Sequence, residues 1–374
     1  MIIFLISILK IFGNIHGHTG YSDGCGTPYE AFEFAKNHNL KIYGLTEHSH
    51  LLTQNKWNDI IYCKNLFKDE NFLPIIGQEV GKLNYYGHIN VYGENLNEII
   101  PEKCFYNLDS IYEYIKNKNL IGIFNHPYEF HFRDFENSEK YKDYICGIEI
   151  INKDSVYEKR AIEAIKKGWE LCFIASQDNH QCLWGIEKNK RERIPLTCFL
   201  VDSLSEKEIF KALRKRKTYA FELFPEDDTI YADFRIDGFS SGERIFKNIN
   251  FINVKIDASA KIPFVKIFIY IDERIDSIFT YSEKIEIEKE YYLERGKHFL
   301  FAKLVQSDFD RVYLSPVFIE IKDERIIYPE IIKGEINGNF KIIEKNGRFL
   351  KKIKGTEILF LRKGEKVQKI IYFK

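Results

Sequence analysis

The sequence lacks an excess of either charge: lysine plus arginine and aspartate plus glutamate are 55 each, and the formal net charge is zero. Such a chain sets up no general field toward nucleic acid or an acidic membrane, so a charged ligand has to be caught locally. It also lacks any C-x-x-C pair among its 7 cysteines, at 25, 63, 104, 146, 172, 182 and 198. An odd, scattered set fits a disulfide framework poorly, and these are read as reduced thiols. No apolar run is long enough to span a bilayer. The opening MIIFLISILKIFG resembles the apolar core of a signal peptide, yet it has no basic residue ahead of the run and no small-x-small site before Lys10. It is read as a buried first strand, which places the protein in the cytoplasm; export is the alternative if the apolar start is a signal remnant. Internal repeats and low-complexity linkers are absent too.

What is present is a chain of 374 residues and 44.4 kDa, 45% hydrophobic, long enough for one large domain and a smaller one. Its 10 histidines stand at 16, 18, 38, 48, 50, 88, 126, 131, 180 and 298, all but the last before residue 181. That first part alternates short apolar runs with helical patterns, the signature of βαβ units and a parallel sheet or barrel. TPYEAFEFAKNHN has Thr27 at the cap, Pro28 at the first helical position and Glu30 reaching back; SEKEIFKALRKRK repeats the capping pattern from Ser205 with Glu208. LDSIYEYIKNK and YEKRAIEAIKKG are further helical stretches. From about residue 229, INVKIDAS, VKIFIYID, KHFLFAKLVQ and SPVFIEI read as strands of an antiparallel sandwich, and the last fifty residues as hairpins. The class is therefore α/β, with one domain over residues 1–222 and a sandwich with terminal hairpins over 229–374.

Each apolar run of the first part ends on polar residues of one chemical kind. LKIYGLT runs into Glu47, His48 and His50, LPIIG into Glu79, LIGIF into Asn125 and His126, and ELCFIAS into Asp178 and His180; His16 and His18 follow the apolar opening. His88, in YYGHINVYG, precedes its strand and is the exception. A parallel barrel delivers the carboxyl ends of its strands to one face, where residues distant in sequence meet. Neutral imidazoles and carboxylates hold zinc, manganese or iron, and a carboxylate can bridge two ions. Histidines two apart on extended chain point to opposite faces, so HGH has to lie at a bend, which Gly17 permits.

HGHTGYSDG, LTEHSH, GQEV, GHINVYG, FNHP and QDNH, in this order, resemble the motifs of the PHP (polymerase and histidinol phosphatase) superfamily. QDNHQCLWG and ALRKRKTYAF resemble its CehA/McbA branch, and the likeness covers about residues 11 to 222. It implies a distorted β/α barrel, TIM-like, with two or three divalent metal ions. By resemblance, one ion is held by His16, His18, Glu79 and Asp178, a second by Glu79 as bridge with His88 and His126, and a third by Asp23, His48 and His180. Glu47 stands where the pattern more often has aspartate; a longer acid there is expected to orient a ligand histidine.

Ions about 3.5–4 Å apart lower the pKa of a shared water and give a hydroxide nucleophile, while a further ion polarises the substrate. The expected activity is that of a metal-dependent phosphoesterase on a small molecule. Carbamate or carboxylic ester hydrolysis on the same metals, and a non-catalytic PHP binding module, are the alternatives. Glu79 and Asp178 head the catalytic candidates, with His50 as proton donor to the leaving group and Arg133 and Asn179 as substrate contacts. Blander readings attach to the rest. His38 and His298 are structural, and His131 is divided between a substrate loop and a solvated one. Glu149 and Asn152 are strand-end hydrogen-bonding residues, Trp184 is packing, and Cys25 is a loop thiol. RKRK at 214–217 ends a capped helix, whose dipole favours cations there, so no nucleic-acid partner is expected.

Overall fold

The computed structural model describes residues 8–136, 138–185, 193–224 and 229–322, together with the strand segments 339–343, 349–354, 360–363 and 366–370. It divides into two compact units, Met1–Ile321 and Lys322–Lys374. The first unit is mixed α/β. Its strands begin with β1 (Leu9–Asn14), β2 (Ile42–His48), β3 (Leu73–Lys82), β4 (Gly87–Tyr92), β5 (Ile121–Asn125), β6 (Ile145–Asn152), β7 (Ser155–Val156), β8 (Cys172–Ser176), β9 (Ile194–Val201) and β10 (Thr218–Leu223). Helices α1 (Pro28–Asn37), α2 (Gln54–Phe67), α3 (Lys103–Tyr106), α4 (Leu108–Asn117), the irregular α5 (Phe132–Phe135), α6 (Ser138–Tyr141), α7 (Glu158–Lys166) and α8 (Glu206–Lys215) lie between them.

The helices start where side chains can satisfy the free N–H groups of a first turn. Thr27 accepts from the Glu30 backbone while the Glu30 carboxylate accepts from Thr27, a complete capping box. The side chains of Ser205, Thr53 and Asn107 accept from the first-turn N–H groups of Glu208, Lys56 and Ser110 and so cap α8, α2 and α4, each cap worth about 1 kcal/mol. Apolar faces of these helices bury against the sheet, in a core that includes the fully enclosed Trp57 and Trp169.

Strands β1, β2 and β3 run parallel, β4 is antiparallel to β3 and to β5, and β5, β6 and β8 are again parallel. On its other side β1 pairs antiparallel with β9, and β9 with β10. The expected barrel is thus realised as a mixed sheet. The edge of β8 meets β9 and the next sheet region through side chains: Thr197 Oγ1 accepts from Ala175 N at 2.9 Å and Ser315 Oγ from Phe173 N at 2.8 Å. Hydroxyls take the place of a backbone ladder there.

The chain continues as β11 (Tyr231–Ile236), β12 (Phe239–Ser240), β13 (Arg244–Lys247), β14 (Phe251–Ile271), β15 (Arg274–Tyr292), β16 (Gly296–Gln306) and β17 (Arg311–Ile321). These pair antiparallel, apart from β13 with β17. Alternate residues of β11 and β14, such as Phe234, Ile236, Val254 and Ile256, share one core with Leu300, Leu304, Val312 and Leu314. The division expected between residues 222 and 229 falls inside the first compact unit, where β10 is hydrogen-bonded to β17. In the second unit β18 (Asn339–Ile343) pairs antiparallel with β19 (Phe349–Lys354), and β20 (Phe360–Lys363) with β21 (Lys366–Ile370). No helix among the described residues is long and apolar enough to cross a membrane.

Candidate metal centre

Strand register places the candidate ligand residues side by side. His48, the last residue of β2, stands opposite Glu79 in β3, and His88 at the start of β4 stands opposite Asn125 at the end of β5. This explains the histidine that precedes its strand: β4 runs antiparallel, so its beginning lies where its neighbours finish. His126 and Asp178 follow β5 and β8 with φ of 27° and 45°. Such angles are costly for residues with a Cβ and turn both side chains back over the strand ends. His18 is tied to the loop after β8, its N–H donating to Asn179 O at 2.8 Å.

Glu79, almost fully buried, is the hub. Its Oε1 lies 3.5 Å from His16 Nε2, 3.1 Å from His88 Nδ1 and 3.3 Å from His126 Nε2; its Oε2 lies 3.3 Å from His18 Nε2 and 3.2 Å from His48 Nδ1. Asp178 Oδ1 lies 3.4 Å from His16 Nε2, 3.2 Å from His18 Nε2 and 3.5 Å from His180 Nδ1. At the outer side Asp23 reaches His48 Nε2 at 3.4 Å and His180 Nε2 at 3.3 Å. Burial alone would raise the Glu79 carboxyl, but the surrounding imidazoles, led by His88, His16 and His48, hold it well below the usual carboxylate range. Asp23 is lowered as well, chiefly by its hydrogen bond with His48.

These spacings suit cations. Ligand atoms about 2.0–2.2 Å from one ion stand roughly 3.0–3.5 Å from each other, and three groups have their donor atoms within 4.8 Å of one another: His16, His18, Asp178; His48, Glu79, His88; and His18, Asp23, His48, His180. His16 Nε2 and His18 Nε2 face each other at 3.1 Å, which two unprotonated nitrogens would resist. His48 Nδ1 and His126 Nδ1 are buried without hydrogen-bond partners. His48 and His18 each enter two groups. His48 turns Nδ1 to Glu79 and Nε2 to Asp23, so a neutral ring can serve one side at a time.

A second layer holds these side chains. Glu149 Oε1 is 2.7 Å from His16 Nδ1 and also accepts from Ser176 Oγ, while Oε2 accepts from His126 N and Asn152 Nδ2, each at 2.8 Å. Asn125 donates to Glu79 Oε1 at 2.7 Å. Glu47 orients no histidine directly. It accepts from Thr19 N and Oγ1 at 2.9 and 2.5 Å and from Ser22 Oγ, and so fixes the loop between His18 and Asp23. Trp184 is packing that also donates from Nε1 to His18 O at 3.1 Å. Gly17 is required by space: a Cβ there would stand 2.3 Å from Tyr43 Oη.

Other expected residues are used differently. Arg133 is not turned to the cluster; the run Phe132–Phe135 has positive φ throughout, and the guanidinium pairs with Asp109 at 2.9 Å on the surface. His50 stands at the rim, its ring 5.5 Å from that of His48, with burial and then His48 and Lys82 lowering its pKa. Asn179 spends its side chain on Leu183 O and Gln181 N. His131 is buried with Nδ1 toward Tyr128 N, His38 bonds Phe34 O, and His298 pairs with Asp272. Cys25 is not a free thiol: it is joined to Cys182 across 157 residues of sequence, and the two lie two residues from Asp23 and His180. The other five cysteines are free and buried. Sequence reasoning passed over Lys153, whose Nζ lies 3.2 Å from Asp178 Oδ2. Its signal was its place, directly after the run ICGIEIIN.

No protein-family model matches the sequence, and no curated protein matches it. Among solved structures, a two-domain protein from Bacteroides vulgatus, described as containing a predicted PHP-like metal-dependent phosphoesterase, is similar over 84% of this chain and 96% of its own. The TM-score is 0.50 at 15% identity. A provisionally assigned metal-dependent phosphoesterase from Bifidobacterium adolescentis matches 47% of this chain and 91% of its own, with TM-score 0.33 and 13% identity. At these identities the first likeness is one of fold, and the second carries no argument.

Proposed function

We propose that this chain is a metal-dependent hydrolase of the PHP type whose preferred substrates are small phosphoesters. The observation that carries the reading is Glu79, a buried carboxylate facing the ring nitrogens of His16, His18, His48, His88 and His126. A structural role would leave so many imidazoles competing for one counter-charge; a cluster of cations gives each nitrogen a partner. His16, His18, Glu79 and Asp178 would hold one ion, Glu79, shared between the two, with His88 and His126 a second, and Asp23 with His48 and His180 a third, zinc, manganese and iron all suiting such a donor set. When bound, divalent ions supply an activated water and the charge that polarises a phosphoryl oxygen.

The protein's own residues do the rest. Glu149 fixes the His16 tautomer by accepting a hydrogen bond from Nδ1–H, which leaves Nε2 free for an ion. Asn125 and Glu47 hold Glu79 and the Asp23 loop in place, so the donors need little reorganisation. His50, at the rim, is our assignment for carrying a proton to the leaving group.

Bound metal measured together with turnover of p-nitrophenyl phosphate, its diester and a naphthyl ester tests the reading. The monoester or diester should be cleaved faster than the carboxylic ester, and chelation should stop the reaction. A metal-replete protein inert to all three would leave a binding module; one that cleaves only the naphthyl ester would move the assignment to carbonyl chemistry.

A further inference from the structure

We infer that Lys153 is the anchor for the anionic end of the substrate and makes the site prefer a phosphate ester over a neutral ester. The inference rests on the phosphoester reading above and names the residue that would give it specificity. Glu79 and Asp23 are paired with histidines, whereas Asp178 also faces a permanent cation, the Lys153 ammonium 3.2 Å from its Oδ2. Asp178 Oδ1 is turned inward to His16 and His18, so Oδ2 is the oxygen on the Lys153 side.

The backbone of Lys153 is fixed while its arm, paired only at its tip with Asp178, is half exposed. It lies in the tight connection between β6 and β7, where Asn152 pairs with Ser155, its φ is 51°, and its N–H donates to Ser176 O at 3.0 Å. That places its Cα at the carboxyl ends of β6 and β8, the side from which the ligands project. The side chain itself is 51% exposed. With cations on the Asp178 carboxylate, the attraction that holds the ammonium there weakens, and four rotatable bonds let it turn to an incoming anion. A phosphate monoester with two negative charges gains from such a point charge, and a carboxylic ester with none does not. Arg133, the cation expected for this task, is engaged with Asp109.

The test uses the metal-loaded full chain as wild type, Lys153→Gln and Lys153→Arg. Metal content comes first, then the affinity for inorganic phosphate by calorimetry, then kinetics on p-nitrophenyl phosphate and p-nitrophenyl acetate. Lys153→Gln should keep its metal but bind phosphate roughly tenfold more weakly, as loss of one charge-assisted hydrogen bond implies. Its KM for the phosphate ester should rise and its preference for that ester over the acetate fall by a similar factor; Lys153→Arg should restore most of the phosphate affinity. Unchanged phosphate affinity in Lys153→Gln, or a wild-type protein that binds no phosphate, overturns the inference. If phosphate binding depends on Lys153 but no phosphoester is cleaved, the anchor stands and the hydrolase reading falls; if phosphoesters are cleaved equally by wild type and Lys153→Gln, the reverse holds.

Discussion

Glu149 holds His16 by its outer ring nitrogen at 2.7 Å, and the same carboxylate accepts from Ser176, Asn152 and the backbone of His126. One buried side chain thus sets the direction of a histidine before β2 and the turn of another after β5. Partners of this kind are worth about 10–100-fold in metal affinity. Glu149→Gln, which puts an amide donor where acceptors are needed, should weaken binding within that range, and Glu149→Ala should also lose stability by leaving buried donors without acceptors. Competition with a chromophoric chelator reads the affinity and thermal melting the stability. Wild-type affinity in Glu149→Gln would show that His16 needs no orienting partner.

Glu79 should be still less replaceable. Its two oxygens face different histidines, so Glu79→Gln removes the charge they share and disturbs the donors on both sides of it. The expected loss exceeds the ~10–100-fold cost of an outer partner and includes at least one ion per chain by elemental analysis. His16→Ala and Asp178→Ala should each abolish hydrolysis. Full metal and full rate in Glu79→Gln would remove its bridging role.

The bond between Cys25 and Cys182 leads to a different expectation. It joins the two loops that carry Asp23 and His180, the more exposed members of their donor group. Opening it with a dithiol, or substituting Cys25→Ser, frees each loop from the other and should lower stability by about 2–4 kcal/mol. The ion beside Asp23 and His180 should dissociate first on dialysis against a weak chelator, while the ions nearer Glu79 remain. Equal retention of all ions by oxidised and reduced protein would show that the backbone contact of His18 with Asn179 is enough.

That these residues converge was legible because strand ends, not contacts, carried the signal: Glu79, His126 and Asp178 each follow an apolar run whose end faces one way. The partner of Cys25 was not, since a pairing across 157 residues leaves no local trace. Arg133 misled because side-chain direction depends on backbone angle, and the positive φ values from Phe132 to Phe135 belong to no sequence pattern. The expected division into residues 1–222 and 229–374 came from a change of strand pattern. Strand β10 belongs to both patterns, pairing with β9 on one edge and with β17 on the other.

Loading the protein with metal should release protons. Burial by itself would push His18 down, but hydrogen bonds to Asp178 and Glu79 hold it up to about 9. His16 is also raised, Glu149, Asp178 and Glu79 together outweighing burial. A histidine whose folded pKa is raised stabilises the metal-free fold below its ordinary value, about 6.5, and that benefit fades as pH climbs through the folded value. Without metal, then, the His16–His18 pair holds a proton more tightly than free imidazoles do, and an ion can take a nitrogen only after its proton has left. Apparent affinity should therefore strengthen as pH rises from about 6 to about 8, because fewer protons have to be displaced. Calorimetric metal titrations in two buffers of different ionisation enthalpy count the protons; at pH 7 a net release should accompany the filling of the innermost donors. Identical heats in both buffers would mean that no proton leaves, and that His16 and His18 are already neutral in the metal-free protein.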